Sequence, residues 1–308
     1  MRRLVTLSVL LMLALCAMAQ TRTEQILHHL RNPKSDYVVV VAHRGDWRNY
    51  PENSLQALES AIAMGVDVVE IDVRRTADGH LVLCHDATIN RTTSGKGKVA
   101  EITLDSIRRC CLRAGHGVKM PSYKMPTLAE ALDLCRDRVM INIDKGYDYY
   151  DQILAMLVER NMADQVIIKG SKSPDKVAAL LVSHSENMLY MPIINYTERA
   201  WTKHESLFER YLSSHIDPVA YEICWNGTLE GEQQIFDRVR SCGSRLWVNT
   251  LWGSLCGGEE SGYYDDRAVG HEAEVYGALL ERGATVIQTD RPAMLIDYLT
   301  RIGRHTLR

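Results

Sequence analysis

Beyond residue 20 the sequence has no run of 18 uninterrupted apolar residues, which excludes an ordinary membrane-spanning helix there. It has no C-x-x-C pair, which argues against a structural zinc site or a thioredoxin-type redox centre. Neither Gly-x-Ser-x-Gly nor Gly-Lys-Ser/Thr occurs, so a nucleophile-elbow serine hydrolase and a phosphate-loop NTPase are both disfavoured. A basic excess is also missing: 36 Lys and Arg stand against 39 Asp and Glu, a net charge of −3, so nucleic acid is not the expected partner. Proline is scarce, 8 in 308 residues, and there is no internal repeat or low-complexity linker. With 46% hydrophobic and 24% charged residues, disorder and collagen-like structure are excluded as well. What remains is a globular chain large enough to enclose a catalytic cleft.

The first nineteen residues read as an export signal. Arg2 and Arg3 form a basic start, Leu4 to Leu15 an apolar core, and Ala17-Met18-Ala19 a small-x-small cleavage site. The domain boundaries are therefore a signal peptide over 1–19 and one domain over 20–308, placing the protein in the periplasm or outside the cell. Without Arg2 and Arg3 the chain carries 34 basic and 39 acidic side chains, a net −5. Seven cysteines follow residue 20, and that odd number leaves at least one thiol free or paired between chains.

Beyond the leader, short β-branched runs alternate with amphipathic stretches. Strands are expected at 38–42, 66–73, 139–143, 166–168, 188–194, 219–223, 246–248 and 285–287. Between them, helices are expected at Ser54–Met64, Leu128–Cys135, Tyr150–Asn161, Pro174–His184 and His271–Arg282, several behind helix-start signals. Eight strands with intervening helices in about 270 residues suit a closed (β/α)8 TIM barrel better than an open sheet. One apolar run, Leu81–Cys84, follows strand two without a helix. Asp78-Gly79 explains it as the tight turn of a β-hairpin. A two-residue turn would pair Ala77 with His80 and set Asp72 directly opposite His85.

The chemistry gathers at the strand ends. Glu70 and Asp72, two apart on strand two, share the inward face, and Asn142 and Asp144 share a face on strand four. His43 and Arg44 close strand one, and His85 closes the hairpin. Carboxylates crowded in a cavity need a neutralising cation, and an oxygen-only set suits Mg²⁺ or Ca²⁺. Arg44 suits the phosphate oxygens of an anionic substrate, and two histidines can serve as acid and base. This kit is consistent with metal-assisted cleavage of a phosphate ester.

The ordered set His43-Arg44-Gly45, Pro51-Glu52-Asn53-Ser54, Glu70-Ile71-Asp72-Val73, Asp78-Gly79, His85-Asp86, Arg91-Thr92-Thr93-Ser94-Gly95, Pro126-Thr127-Leu128 and Thr289-Asp290-Arg291-Pro292 closely resembles the glycerophosphodiester phosphodiesterases. The likeness is dense over residues 38–145 and sparse beyond. It implies a TIM barrel, one divalent ion, and hydrolysis of a small-molecule glycerophosphodiester to glycerol 3-phosphate and an alcohol. It also implies that His43 and His85 are the acid–base pair, that Glu70 and Asp72 bind metal, that Arg44 holds phosphate, and that Glu52 joins the metal or substrate shell. Strand four departs from the family's Glu-x-Lys. Here Asn142-Ile143-Asp144-Lys145 offers a shorter carboxylate, still able to bind metal, and a lysine one place early that a regular strand would point away. Lys169, ending strand five, is the candidate replacement for that charge on the phosphate. Trp247 and Asn249 loosely match a late strand that lines the family's pocket. The alternatives are a lipid-headgroup phosphodiesterase on the same barrel, with Tyr147, Tyr149 and Tyr150 forming an apolar entrance, or a non-catalytic phosphodiester-binding barrel.

Overall fold

The computed structural model describes residues 20–115, 117–183 and 189–307, so the expected leader over 1–19 lies outside the described residues. In chain order the strands are β1 (Val39–His43), β2 (Val68–Arg75), β3 (Leu81–Leu83), β4 (Leu112–Arg113), β5 (Lys119–Met120) and β6 (Met140–Asp144). They continue as β7 (Val166–Gly170), β8 (Leu189–Tyr196), β9 (Ala220–Trp225), β10 (Arg245–Asn249) and β11 (Val286–Thr289). Eight run parallel in the order β1-β2-β6-β7-β8-β9-β10-β11, and β11 pairs back onto β1. The ring is closed, with helices between strands: a (β/α)8 TIM barrel, as the alternating pattern predicts.

Each barrel strand sorts its residues onto two faces. Val38, Val40, Ala42, Val69, Ile71 and Ile141 face outward into a core shared with helices such as Leu55–Met64 and Leu128–Cys135. Val39, Val41, Val68, Met140, Ile167, Ala220, Trp247 and Val286 face inward and form a second apolar cluster with Ile26 and Leu30. Those last two belong to the helix Arg22–Arg31, which closes the N-terminal end of the barrel and starts from a Thr21–Glu24 capping box. Two residues further along six of the same strands, the inward positions turn polar and stay buried: Glu70, Asn142, Lys169, Glu222, Asn249 and Gln288. The period of two therefore stacks an apolar layer beneath a polar one.

Several helices start at side-chain caps. Ser54 Oγ accepts from Ala57 N at 3.1 Å, and Thr127 forms a capping box with Glu130 ahead of Leu128–Cys135. The helix expected at His271–Arg282 is present, but its first part is a π-turn, Ala273–Gly277, that runs into the short α-helix Ala278–Glu281. His184, the expected end of the helix that begins at Pro174, lies outside the described residues. The seven cysteines after residue 20 are all free thiols.

The hairpin exists with a different register. Val73 faces Leu83, Arg74 faces Val82 and Arg75 faces Leu81, which sets Cys84, not His85, level with Asp72. The turn is one residue longer than expected, because Thr76 N donates to His80 O at 2.9 Å across Ala77-Asp78-Gly79. Gly79 takes the left-handed conformation that such a loop requires, with φ of 88°. Asp78 accepts from Thr76 Oγ1 at 2.6 Å and from Leu104 N at 3.0 Å, which ties the loop to the next helix.

Candidate active site

As β1 ends, the chain turns sharply through two left-handed residues, Arg44 at φ 55° and Gly45 at φ 72°. Gly45 has no substitute here, since a Cβ would lie 2.8 Å from the Ala57 carbonyl carbon. The turn aims Arg44 N at Glu70 Oε2, 3.1 Å away, and brings His43 under Asp290, where Nδ1 lies 2.8 Å from Oδ1. Trp47 Nε1 donates to the same carboxylate oxygen at 2.6 Å. Indole can only donate, so Asp290 is the acceptor, and neutral His43 carries its proton on Nδ1 and leaves Nε2 free.

Glu70, Asp72 and Asp144 come together, with one oxygen of each within 4.8 Å of the others. Burial pushes the Glu70 carboxyl above its ordinary range, and neighbouring Asp72 adds to the rise. Burial acts the same way on Asp72, but Lys145 and then Arg44 outweigh it and hold the group below its usual value. Asp144 is also held low, since Lys169 and Lys145 overcome its burial. Asn53, in a left-handed conformation before its helix, brackets Asp72. Its Nδ2 donates to Oδ2 at 3.0 Å, and its Oδ1 accepts from Asp72 N at 3.1 Å.

Both lysines behave differently from expectation. Lys145 does not point away. The strand ends at Asp144, and Lys145 adopts φ 62°, which swings its ammonium back onto Asp72 Oδ1 at 2.5 Å and Asp144 Oδ2 at 2.9 Å. Its expected orientation assumed a regular strand through residue 145, and the left-handed turn removes that premise. Lys169 is not presented to a phosphate either. It is 5% exposed, with Nζ 3.6 Å from Glu70 Oε1 and 3.5 Å from Glu222 Oε2. Burial would lower its pKa, yet Glu222 and Glu70 raise it above the ordinary lysine value. Lys169 neutralises two buried acids from inside the barrel, and Lys145 is the ammonium at the rim.

Ion pairs run from the acids to the second histidine. Arg44 Nη1 meets Glu52 Oε1 at 3.0 Å while its Nε lies 3.4 Å from Asp72 Oδ2. Glu52 is held in turn by Arg91, whose Nη1 lies 2.5 Å from Oε2, and Arg91 Nε reaches Asp86 Oδ2 at 2.8 Å. Asp86 Oδ1 lies 2.8 Å from His85 Nδ1, leaving that ring's Nε2 free in the same sense as His43. Arg74 fixes the His85 carbonyl through Nε at 3.3 Å and Nη2 at 3.0 Å. Hydrogen bonds from Arg91 hold the Asp86 carboxyl well below the usual range.

Trp247 does not line the pocket. It has no exposed surface and packs among Val39, Val41 and Val286 in the apolar layer, so it fills the barrel rather than lining a pocket. The alternation that sets Asn249 in the polar layer puts Trp247 one layer beneath it. Asn249 Nδ2 donates to Glu222 Oε1 at 2.7 Å. Besides Trp47, an aromatic beside the site is Trp252, 43% exposed and edge-on to His43 with ring centroids 6.0 Å apart. Trp252, Glu222 and the role of Asp290 escape sequence reading, since each depends on contacts between distant strands. For Glu222, its inward position on β9 beside apolar neighbours was the available signal.

The chain matches the model of the glycerophosphoryl diester phosphodiesterase family over residues 43–220 and a domain of unknown function over 190–299. A glycerophosphodiester phosphodiesterase of Caldanaerobacter subterraneus is 39% identical over 139 residues, which cover 43% of this chain and 57% of that protein. The chain thus spans less than two thirds of that relative's length. Among solved structures, a glycerophosphoryl diester phosphodiesterase of Parabacteroides distasonis superposes with a TM-score of 0.70 at 21% identity, covering 92% of this chain and 93% of that one. An Oleispira antarctica phosphodiesterase, solved with the product sn-glycerol-3-phosphate, gives a TM-score of 0.60 at 19% identity over 85% of this chain and 96% of its own. With more than half its length under the family model, the chain belongs to the glycerophosphoryl diester phosphodiesterase family.

Proposed function

We propose that the protein is a metal-dependent phosphodiester hydrolase that cleaves glycerophosphodiesters to glycerol 3-phosphate and an alcohol. The observation that carries this reading is the convergence of His43, Arg44, Glu70, Asp72, Asp144 and the His85–Asp86 pair on the C-terminal rim of one barrel. Three carboxylate oxygens within 4.8 Å, drawn from two buried groups and one at the rim, fit a hard divalent cation, and Glu70, Asp72 and Asp144 would hold it. When bound, such an ion neutralises the acids and polarises a phosphoryl oxygen. His43 and His85, each with Nδ1 on a carboxylate, present Nε2 to take up and return protons. Arg44, at the same rim, supplies a planar donor fork for phosphate oxygens. Export fits the leader-like residues 1–19 and belongs to the same proposal. Among the described residues, no helix is long and apolar enough to cross a membrane.

The test is a headgroup-release assay on water-soluble glycerophosphodiesters and intact lysophospholipid, with and without chelator. Chelator-sensitive release from the soluble substrates, lost by orders of magnitude in folded His43→Ala and His85→Ala, is the expected result. Release from the lipid alone would reassign the substrate class. No turnover of either, with intact binding, would make the barrel a phosphodiester-binding protein. Near-normal rates in both histidine variants would overturn the assignment.

A further inference from the structure

The connection from β10 to β11, residues 250–285, is far longer than a barrel loop needs to be, and it reaches His43 by two routes. Trp252 meets the imidazole edge-on. The second route is a carboxylate, Asp265, with no exposed surface. Its Oδ1 lies 2.8 Å from each of Thr250 Oγ1, Tyr276 OH and Thr289 Oγ1, and its Oδ2 accepts from Asp290 N at 2.6 Å. Asp290 is the residue whose side chain holds His43 Nδ1. Tyr276 reaches Asp265 from the π-turn Ala273–Gly277, a rare conformation that tends to occur where function needs a side chain re-aimed. Arg48 adds an outer clasp, its Nε donating to the Asp290 carbonyl at 3.1 Å and its Nη2 meeting Asp266 at 3.2 Å.

We propose that Asp265, buttressed by Tyr276, is a positioning residue for the reaction: it fixes the Thr289-Asp290 turn and, through Asp290, the tautomer and aim of His43. The inference rests on the reading of His43 as an acid–base group, but its structural half stands without it. Four donors converge on one carboxylate, and a carboxylate has acceptor sites for all of them. An amide does not. In Asp265→Asn the oxygen can satisfy the three hydroxyls only by turning the NH₂ toward Asp290 N–H, donor against donor. The Asp290 backbone then loses its anchor, and the hydrogen bond to His43 loosens while the barrel core is untouched.

The experiment compares wild type, Asp265→Asn and Tyr276→Phe by proton NMR and by steady-state kinetics on a glycerophosphodiester. A His43 Nδ1–H bonded to a carboxylate and shielded from solvent gives a far-downfield resonance, assigned by its disappearance in His43→Gln. That resonance should shift or broaden in both variants, more in Asp265→Asn. The same variant should lose about 10- to 100-fold in kcat, the scale of a misplaced reacting group, with KM held within about threefold. An unchanged resonance in folded Asp265→Asn and Tyr276→Phe overturns the proposal, as does a loss expressed wholly in KM. A shifted resonance in a protein whose wild type turns over no glycerophosphodiester would uphold the positioning and refute the functional reading instead.

Discussion

Replacing Lys169 by Met tests how the polar layer is held inside the barrel. The ammonium is buried between Glu70 and Glu222 at 3.6 and 3.5 Å, and Glu222 Oε2 has no hydrogen-bond partner apart from that ion pair. Its removal leaves two carboxylates in the interior without a counter-charge. Deleting one partner of a buried pair costs about 3–5 kcal/mol, and protonation of one acid returns part of that. A net loss of about 2–4 kcal/mol is expected near neutral pH, from urea unfolding of the metal-free protein. Glu222→Gln removes one charge and leaves Lys169 on Glu70, so its cost should be smaller, about 1–2 kcal/mol. The double variant should cost less than the sum, because Lys169→Met then strands only Glu70. A loss below about 1 kcal/mol for Lys169→Met, or strict additivity in the cycle, would refute the charge-compensation argument. A large rise in KM with stability unchanged would instead restore Lys169 to the substrate phosphate.

The barrel was legible because its eight strands announce themselves as β-branched runs, and each expected run overlaps an observed strand. Helices with strong polar starts, such as Leu128–Cys135, were equally clear. Trp201–Leu212 and Glu232–Ser241 lack side-chain caps, so their amphipathic stripes carry no start signal. At the site, the period of two placed Glu70, Asp72 and Asp144 together correctly, since strand alternation survives to the last strand residue. It failed for Lys145 one residue later, where a left-handed turn replaced the strand, and for the hairpin, where Asp78 bonds lengthened the loop. Lys169 was recognised as a charge at a strand end, but its role depends on Glu222, two strands away. Tertiary pairing of that kind leaves no local mark. The same holds for Asp290 and His43, 247 residues apart in the chain.

Lys145→Gln should tighten divalent-ion binding several-fold by calorimetry, because the ammonium now occupying Asp72 and Asp144 competes with any cation those oxygens would bind; weaker binding would show that Lys145 supports the ion instead. Gly45→Ala should destabilise the protein by about 1–3 kcal/mol in thermal or urea unfolding, since the left-handed backbone and the 2.8 Å approach to Ala57 act together; a neutral result would mean the turn can relax. The pH dependence of stability should carry the mark of Asp265, whose carboxyl burial pushes up from the ordinary aspartate range to about 6. A folded-state pKa above the unfolded one means the group adds stability below about pH 4 and loses it as pH rises through 6. Asparagine does not titrate, so the stability of wild type relative to Asp265→Asn should fall between pH 4 and 6.5 and then level off. The hydrogen bonds from Asp290 N, Thr289 and Thr250 oppose this shift, and burial, helped by the neighbouring Asp290 charge, outweighs them. A relative stability that rises over the same interval would mean that those donors dominate, and that Asp265 is held ionised more firmly than its burial implies.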